Sequence, residues 1–136
     1  MRGVKVFIDT NILVYAFTSD EPEKKTLALK ALDHCVPVVS TQVIKEFANV
    51  LFKKTNLGID RIRTLLSDIN EVADVVQEDT DLIYDALDIK RQWSYSFYDS
   101  VIIAAARKAN CQTLFSEDLK DGQVIDGKLT IINPLK

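Results

Sequence analysis

The stretch that decides the fold is Phe7-Ile8-Asp9-Thr10-Asn11. It ends an apolar run that predicts a buried strand over residues 3–9, and an apolar segment with helical spacing follows over 11–18. In a parallel α/β sheet, an Asp at the carboxyl end of a strand lies where such sheets bind ligands. Asp is also a preferred N-cap, so Asp9 alone fits a helix cap and a ligand-binding acid equally well.

The composition predicts one globular domain over residues 1–136, with 47% hydrophobic and 27% charged residues. No apolar run approaches the roughly 20 residues of a membrane helix, and the first strand is too short for a signal peptide, so we expect a cytoplasmic protein without a membrane partner. A net charge of −3, from 17 basic and 20 acidic residues, argues against a protein that coats nucleic acid non-specifically. An enzyme that binds phosphates through a metal held by acids remains compatible with that charge.

Histidine and cysteine are too sparse for several kinds of site. His34 is the only histidine, and Cys35 and Cys111 match no closely spaced metal motif. A histidine-based triad and a histidine-rich metal site are therefore excluded, and the cysteines are interpreted as small core residues.

Strands and helices alternate along the chain, which predicts a three-layer α/β/α sandwich around a central, mostly parallel sheet. The further strands are predicted at 36–40, 72–77 (as an edge strand), 112–115 and 129–132. The further helices are predicted from Pro22 to about Asp33, over 42–54, from a cap at Asp60, from Asp79 to about Trp93, and from Ser96 onward. In the helix that follows Asp79, the residues expected to point inward are Leu82, Ile83, Ala86 and Leu87.

Four carboxylates fall where this architecture gathers side chains: Asp9, Glu46, Asp99 and Asp118. Right-handed crossovers place the ends of parallel strands and the starts of the following helices at one edge of the sheet. Asp99 joins that edge if the amino end of its helix lies there. Taken singly, each acid also has an ordinary role as a cap, a solvated helix residue or a turn residue.

Four converging acids call for a cation. Two unit charges 4 Å apart repel by about 4 kcal/mol at an effective dielectric of 20, so such a cluster takes up protons or binds metal. Hard ions such as Mg²⁺ or Mn²⁺ suit an all-carboxylate site. An ion of this kind aids phosphodiester hydrolysis by polarising the phosphoryl oxygen and lowering the pKa of a water.

Four segments of the chain resemble the PIN-domain family of metal-dependent ribonucleases, and are most similar to the VapC-type toxins of toxin–antitoxin pairs. These segments are Ile8–Leu13, Thr41–Phe47, Tyr98–Ala106 and Leu114–Asp118, and the resemblance covers nearly the whole chain. It implies the PIN-like α/β/α fold and an endoribonuclease that uses Mg²⁺ or Mn²⁺. It also implies an RNA substrate, a homodimer, and an antitoxin protein that blocks the site.

The resemblance assigns roles to six residues. Asp9, Glu46, Asp99 and Asp118 correspond to the catalytic, metal-binding acids, and Asn11 and Ser116 correspond to the supporting polar positions. Glu117 and Asp121 flank the fourth acid, and Asp118 is preferred because Ser-Glu-Asp aligns it with the Thr-x-Asp pattern of the family.

Two other functions stay open at this point. A haloacid-dehalogenase-type phosphatase also begins with a strand-ending Asp, but it needs a second acid two residues later, where this chain has Asn11. A binding module, either receiver-like or a catalytically inactive PIN domain, is the non-enzymatic alternative. A receiver needs paired acids after its first strand and an Asp after its third, and neither arrangement is found.

Two further groups of side chains have a functional and an ordinary interpretation. Basic residues on or near two helices, at Lys45, Lys53, Lys54 and Lys90-Arg91, either guide RNA phosphates or are solvated surface charges. The aromatic cluster Trp93, Tyr95, Phe97 and Tyr98 either stacks on a base, packs a loop or forms an oligomer interface.

Overall fold

The computed structural model describes residues 3–18 and 20–136. Its elements, in chain order, are β1 (Lys5–Ile8), α1 (Thr10–Phe17), α2 (Pro22–Leu32), β2 (Val36–Ser40), α3 (Thr41–Lys54), α4 (Ile59–Val72), β3 (Asp74–Val76), α5 (Thr80–Trp93), α6 (Phe97–Lys108), β4 (Thr113–Phe115), β5 (Val124–Ile125) and β6 (Leu129–Ile132). No helix within these described residues is long and apolar enough to cross a membrane.

The six strands form one sheet in the order β3-β2-β1-β4-β6-β5. All neighbouring pairs are parallel except β5 with β6, which is antiparallel. The chain moves outward from β1 to β2 and β3, then returns to β4 on the other side of β1. Because such crossovers are right-handed, α1 to α4 cover one face of the sheet and α5 and α6 cover the other. The predicted α/β/α sandwich is confirmed.

The core forms where strands buried on both faces meet the apolar sides of the helices. Side chains of β1 and of the helix α6 contribute most densely, and α6 is buried at every position from Ser100 to Ala106. The largest side chains with less than 2% exposure are Phe7, Phe47, Ile8, Ile12, Leu51, Ile69, Leu82, Ile89, Ile103, Leu114, Ile125 and Leu129. The helix α6 is therefore enclosed on more than one side.

Three details differ from the sequence prediction. The two-residue strand β5 was not predicted, because a pair of residues carries no periodicity. The N-cap of α4 is Gly58, and Asp60 lies in the first helical turn instead of capping it. Ile83 and Leu87 are 39% and 46% exposed, so their inward assignment was wrong.

The buried line of α5 explains the last correction. Leu82, Ala86 and Ile89 are buried at spacings of four and three residues. This single line faces α6, the main packing partner of α5. Ile83 and Leu87 lie one position farther round the helix and reach solvent. The apolar stripe in the sequence is thus wider than the face of α5 that is buried in the structure.

The same substitution at a buried and an exposed isoleucine tests this packing. Ile103 is fully buried and Ile83 is 39% exposed. We expect Ile103→Ala to lower the free energy of unfolding by about 2–5 kcal/mol, because it leaves a cavity in the core where the Ile103 side chain of α6 packs. Ile83→Ala should cost less than about 1 kcal/mol. Urea unfolding monitored by circular dichroism measures both, and equal losses would contradict the placement of α5.

Candidate active site

The ends of β1 and β4 form a crevice where the order of the strands reverses. β2 pairs with one side of β1 and β4 with the other. Just beyond the paired residues, the amide of Asp9 donates to the carbonyl of Phe115 at 3.0 Å. Ligands of open α/β sheets bind at such a switch point, outside the carboxyl ends of the strands. The position of Asp9 is therefore the one that the sequence predicted.

Asp9 is both a helix cap and a member of this crevice. It is the N-cap of α1, and its Oδ1 accepts from the backbone amide of Thr10 at 2.8 Å. Its Oδ2 accepts from Ser116 Oγ at 2.8 Å. The two roles considered for Asp9 from sequence are compatible, because each carboxylate oxygen carries more than one lone pair.

The surroundings of Asp9 raise its pKa to about 6 from an ordinary value of 3.8. Burial is the largest cause, because it disfavours the charged form. The hydrogen bonds from Ser116 and Thr10 act in the opposite direction, and the charges of Glu46 and Asp118 raise the pKa further. Asp9 is thus a half-buried carboxylate whose nearest charged neighbours carry its own sign.

Ser116 organises the loop after β4. Its hydroxyl donates to Asp9 and accepts from the amides of Asp118 and Leu119, both at 3.2 Å. These three bonds use the one donor and both acceptor sites of the hydroxyl. Ser116 is fully buried. It therefore fixes the loop that carries Asp118 against the end of β1.

Glu46 reaches the crevice from α3. The cap of this helix is Ser40, whose Oγ accepts from the amide of Val43 at 3.3 Å. Thr10 Oγ1 donates to Glu46 Oε1 at 2.8 Å, and Gln42 Nε2 lies 3.5 Å from the same oxygen. The buried Thr10, which the sequence interpretation did not single out, links Glu46 to Asp9.

Asp118 is held from α1. Asn11 Nδ2 donates to Asp118 Oδ2 at 2.6 Å. The pKa of Asp118 is raised, first by burial and then by the charges of Glu117 and Asp99. The predicted supporting residues Asn11 and Ser116 both contact acids of the predicted set.

Asp99 lies in the first turn of α6. Its amide donates to Oγ of the N-cap Ser96 at 3.1 Å, and the helix begins at the position predicted from Ser96. Among residues 3–18 and 20–136 its carboxylate has no hydrogen-bond partner, and its charge acts on Asp118. The condition set from sequence is therefore met, because the amino end of α6 lies beside the crevice.

A second network, which the sequence interpretation missed, holds Glu117. Tyr15 Oη donates to Glu117 Oε1 at 2.7 Å, and Lys24 Nζ donates to Glu117 Oε2 at 2.8 Å and to Tyr15 Oη at 3.2 Å. Lys24 also lies 4.7 Å from the centre of the Tyr15 ring. Burial favours a higher pKa for Glu117, but the bonds from Lys24 and Tyr15 outweigh it and the pKa lies below its ordinary value.

The two acids that flank Asp118 are thus engaged elsewhere. Glu117 pairs with Lys24, while Asp121 accepts from the amide of Asn133 at 2.8 Å and lies 3.6 Å from Lys136. Asp118 is the acid of this loop that contacts Asn11 and shares its electrostatic environment with Asp99 and Asp9.

The donor set of the crevice suits a hard cation. Within the described part of the chain, none of Asp9, Glu46, Asp99 and Asp118 pairs with a Lys or Arg. Every side-chain atom that these acids could offer to a metal is an oxygen, the ligand that Mg²⁺ and Mn²⁺ prefer. No three acidic, Cys or His side chains of the described residues are close enough to hold one ion together. That spacing fits an ion with few direct protein ligands, since Mg²⁺ keeps several waters and is bound through one or two carboxylates.

Residues 6–121 match the family model of the PIN domain. The chain belongs to the PIN domain family. The match includes all four acids of the crevice and both supporting residues, Asn11 and Ser116. No curated protein matches the sequence.

Solved structures share the PIN fold at low sequence identity. A toxin–antitoxin complex from Klebsiella pneumoniae is 22% identical, with a TM-score of 0.72 over 95% of this chain and 97% of that one. VapC20 of Mycobacterium tuberculosis, a toxin that cleaves the sarcin–ricin loop, is 21% identical, with a TM-score of 0.68 over 83% and 91%. VapBC2 from Rickettsia felis, bound to promoter DNA, is 14% identical, with a TM-score of 0.68 over 96% and 100%.

Asp9→Asn should remove a pH-dependent destabilisation of the metal-free PIN domain. In the unfolded chain Asp9 ionises near pH 4, whereas in the folded state it keeps its proton up to about pH 6. The wild type therefore loses stability as pH rises between these values, by at most about 3 kcal/mol. Urea unfolding in EDTA at several pH values measures the free energy of unfolding. The value for Asp9→Asn minus that for the wild type should grow as the pH rises.

Asp79→Asn is the matched control for this pH series. The pKa of Asp79 lies below its ordinary value, because the amide of Leu82 and Lys108 stabilise the carboxylate. Asp79 is therefore charged in both the folded and the unfolded state above about pH 4.5. Its substitution should change the free energy of unfolding by the same amount from there to pH 7. A flat series for Asp9→Asn would contradict the burial of Asp9.

Lys24→Met should raise the pKa of Glu117. The substitution removes the donor and the charge that lower this pKa, while the burial that raises it remains. Carboxyl ¹³C chemical shifts followed through a pH titration measure the change. Lys25→Met, at the adjacent position of α2, is the control and should leave the Glu117 titration unchanged. An unaltered pKa in Lys24→Met would show that the ion pair is open in solution.

Proposed function

We propose that this PIN domain is a Mg²⁺- or Mn²⁺-dependent endoribonuclease that hydrolyses RNA phosphodiester bonds. The observation that carries the proposal is the gathering of Asp9, Glu46, Asp99 and Asp118 at a sheet switch point with no basic partner among the described residues. A protein that used this crevice only for packing would gain stability by pairing or neutralising such acids.

The same four acids would hold the ion or ions, one or two of them directly and the others through bound water. Asp9, at the end of β1, is the central ligand in this proposal, with Glu46 on one side and Asp118 and Asp99 on the other. A bound divalent ion supplies Lewis acidity toward the phosphoryl oxygen and lowers the pKa of an attacking water. Its positive charge also reverses the field that the acids would otherwise present to an anionic substrate.

The remaining side chains of the site set the orientation of the acids. Ser116 and the Thr10 amide each engage one oxygen of Asp9, which leaves further lone pairs of both oxygens free. Thr10 Oγ1 fixes Glu46, and Asn11 fixes Asp118. Ligands held in this way lose little freedom when an ion binds, and mutation of such outer partners commonly weakens a metal site.

The phosphatase alternative is weakened by the contact of Asn11. That chemistry needs a second acid two residues after the strand-ending Asp. Here the position carries an amide whose Nδ2 donates to a carboxylate across the crevice. Asn11 acts in this geometry as a support for Asp118.

A toxin role with an antitoxin partner is part of the proposal. Structures with this fold include a toxin–antitoxin complex and a toxin that cleaves the sarcin–ricin loop. We propose that this protein likewise acts on RNA in the cytoplasm, forms a homodimer, and is blocked by a cognate antitoxin. Co-expression with the product of an adjacent small gene, followed by purification of the complex, tests the partner independently of the nuclease activity.

Substitutions of two acids in the loop after β4 separate the proposed ligand from a neighbouring acid. We expect Asp118→Asn to lower Mn²⁺-dependent cleavage of RNA by roughly 100-fold or more, because a charge at the reacting centre is lost. Asp121→Asn should change the rate by only a few-fold, because the Asp121 carboxylate accepts from the backbone amide of Asn133 and not from a residue of the crevice. The Mn²⁺-induced rise in the melting temperature should shrink in Asp118→Asn and persist in Asp121→Asn.

Metal removal completes this test. EDTA should abolish cleavage by the wild type, and added Mn²⁺ or Mg²⁺ should restore it. Cleavage that survives EDTA, or survives Asp9→Asn, would overturn the proposal. Equal loss in Asp118→Asn and Asp121→Asn would show that the fourth acid was assigned wrongly.

A further inference from the structure

A cavity of about 510 Å³ opens beside Glu46 on the side of the crevice that faces α6. Its walls are mainly apolar, and they bring together α5, the start of α6 and the first turns of α3. The apolar lining residues are Ile83, Phe97, Tyr98 and Val101. Since Glu46 belongs to both the cavity and the acidic crevice, an occupant would lie next to the proposed reaction centre.

Tyr98 presents an exposed aromatic ring at this cavity. It is 66% exposed and immediately precedes Asp99 in the first turn of α6. Phe97 packs against it edge to face, with ring centres 5.3 Å apart and planes at 67°. A large apolar ring that is held in place and left open to solvent is typical of a stacking platform.

The charges of the cavity favour a neutral planar group over a phosphate. Glu46 and Glu78 contribute two carboxylates to its lining, against one basic residue, Lys45. An anion would be repelled there, whereas an unpaired nucleobase offers a flat face to Tyr98. Lys45 at the rim is suited to the backbone phosphate that accompanies such a base.

Glu78 supplies an acceptor that lacks a donor. It follows β3 at the same edge of the sheet, and its Oε1 accepts from Thr41 Oγ1 at 2.9 Å. Its Oε2 is buried and finds no hydrogen-bond partner among residues 3–18 and 20–136, which is costly for a carboxylate oxygen. Because this oxygen is covered in the free protein, the side chain must turn toward the cavity to meet a ligand. An exocyclic amine of adenine, cytosine or guanine provides the missing donor, whereas uracil has no exocyclic amine and offers only its ring N3–H.

We infer that this cavity is a nucleobase subsite, which takes one unpaired base next to the cleaved bond, stacks it on Tyr98 and uses Glu78 to favour a base with an exocyclic amine. The inference rests on the proposed ribonuclease function. Its first test measures binding in EDTA, so that it does not depend on hydrolysis.

The test compares two tyrosines of similar exposure. Tyr98 is 66% exposed at the cavity, and Tyr84 is 60% exposed on α5 but does not line it. Fluorescence anisotropy in EDTA should show single-stranded RNA binding to the wild type more tightly than an abasic strand of the same length. Tyr98→Ala should weaken RNA binding roughly 5- to 100-fold and abolish the preference for bases. Tyr84→Ala should keep the RNA affinity of the wild type and its preference for intact strands, and Tyr98→Phe should also bind like the wild type.

Each result decides between the two proposals. Equal effects of Tyr98→Ala and Tyr84→Ala, equal binding of abasic and intact strands, or no binding of RNA in EDTA at an ionic strength that screens the acids would overturn the subsite. Normal RNA binding by Tyr98→Ala would leave the cavity to a protein partner instead. Base-dependent binding through Tyr98 without any metal-dependent cleavage would support the subsite and contradict the nuclease.

Homopolymers test the part played by Glu78. The wild type should bind the adenine and cytosine polymers more tightly than the uracil polymer. Glu78→Gln should reduce this preference, because the amide offers a donor as well as an acceptor. A preference that is unchanged in Glu78→Gln would overturn the selection by Glu78.

Discussion

The hydrogen bond from Ser116 Oγ to Asp9 Oδ2 joins the ends of the two central strands, and the geometry of the crevice depends on it. β1 and β4 are adjacent in the sheet but far apart in sequence, and the chain leaves them in opposite directions. Without a tie, the loops after such strands would diverge. The buried hydroxyl closes the switch point and, through its two backbone acceptor bonds, shapes the loop that follows β4. The other polar contacts of the site build outward from this junction.

Two groups of acids in this chain differ in their partners. Glu117, Asp79 and Asp126 each form an ion pair with a Lys or Arg within about 3 Å, and these pairs tie helices and loops together. Those of the crevice are supported mainly by hydroxyl, amide and backbone N–H donors, which orient a carboxylate without neutralising it. The consequence is a local excess of negative charge that is fixed in position. It adds to burial, the largest cause, in raising the pKa of Asp9.

Periodicity and strand-ending acids were sufficient to predict a mostly parallel sheet between two layers of helices and the edge at which the acids gather, although not the short strand β5. The strand after β1, the amphipathic α3 and the Ser96 cap each depend on residues close together in sequence, so the local pattern contained them. Thr10, Tyr15 and Lys24 were missed because their contacts join residues 36 to 102 positions apart. Glu78 was missed for a similar reason, since its partner lies on another element and a single Glu before an Asp cap has no distinctive pattern.

One face of α1 carries a constraint on chain length. Asn11 and Tyr15 are four residues apart, and they hold the consecutive acids Asp118 and Glu117 of the opposite loop. An inserted or deleted residue between them would turn the second side chain by about 100° around the helix axis and move it away from its acid. Point substitutions on the outer faces of α1 leave both contacts intact, whereas a change in the number of residues breaks the pairing of helix and loop. The spacing between Asn11 and Tyr15 is therefore as much a part of the site as the two residues themselves.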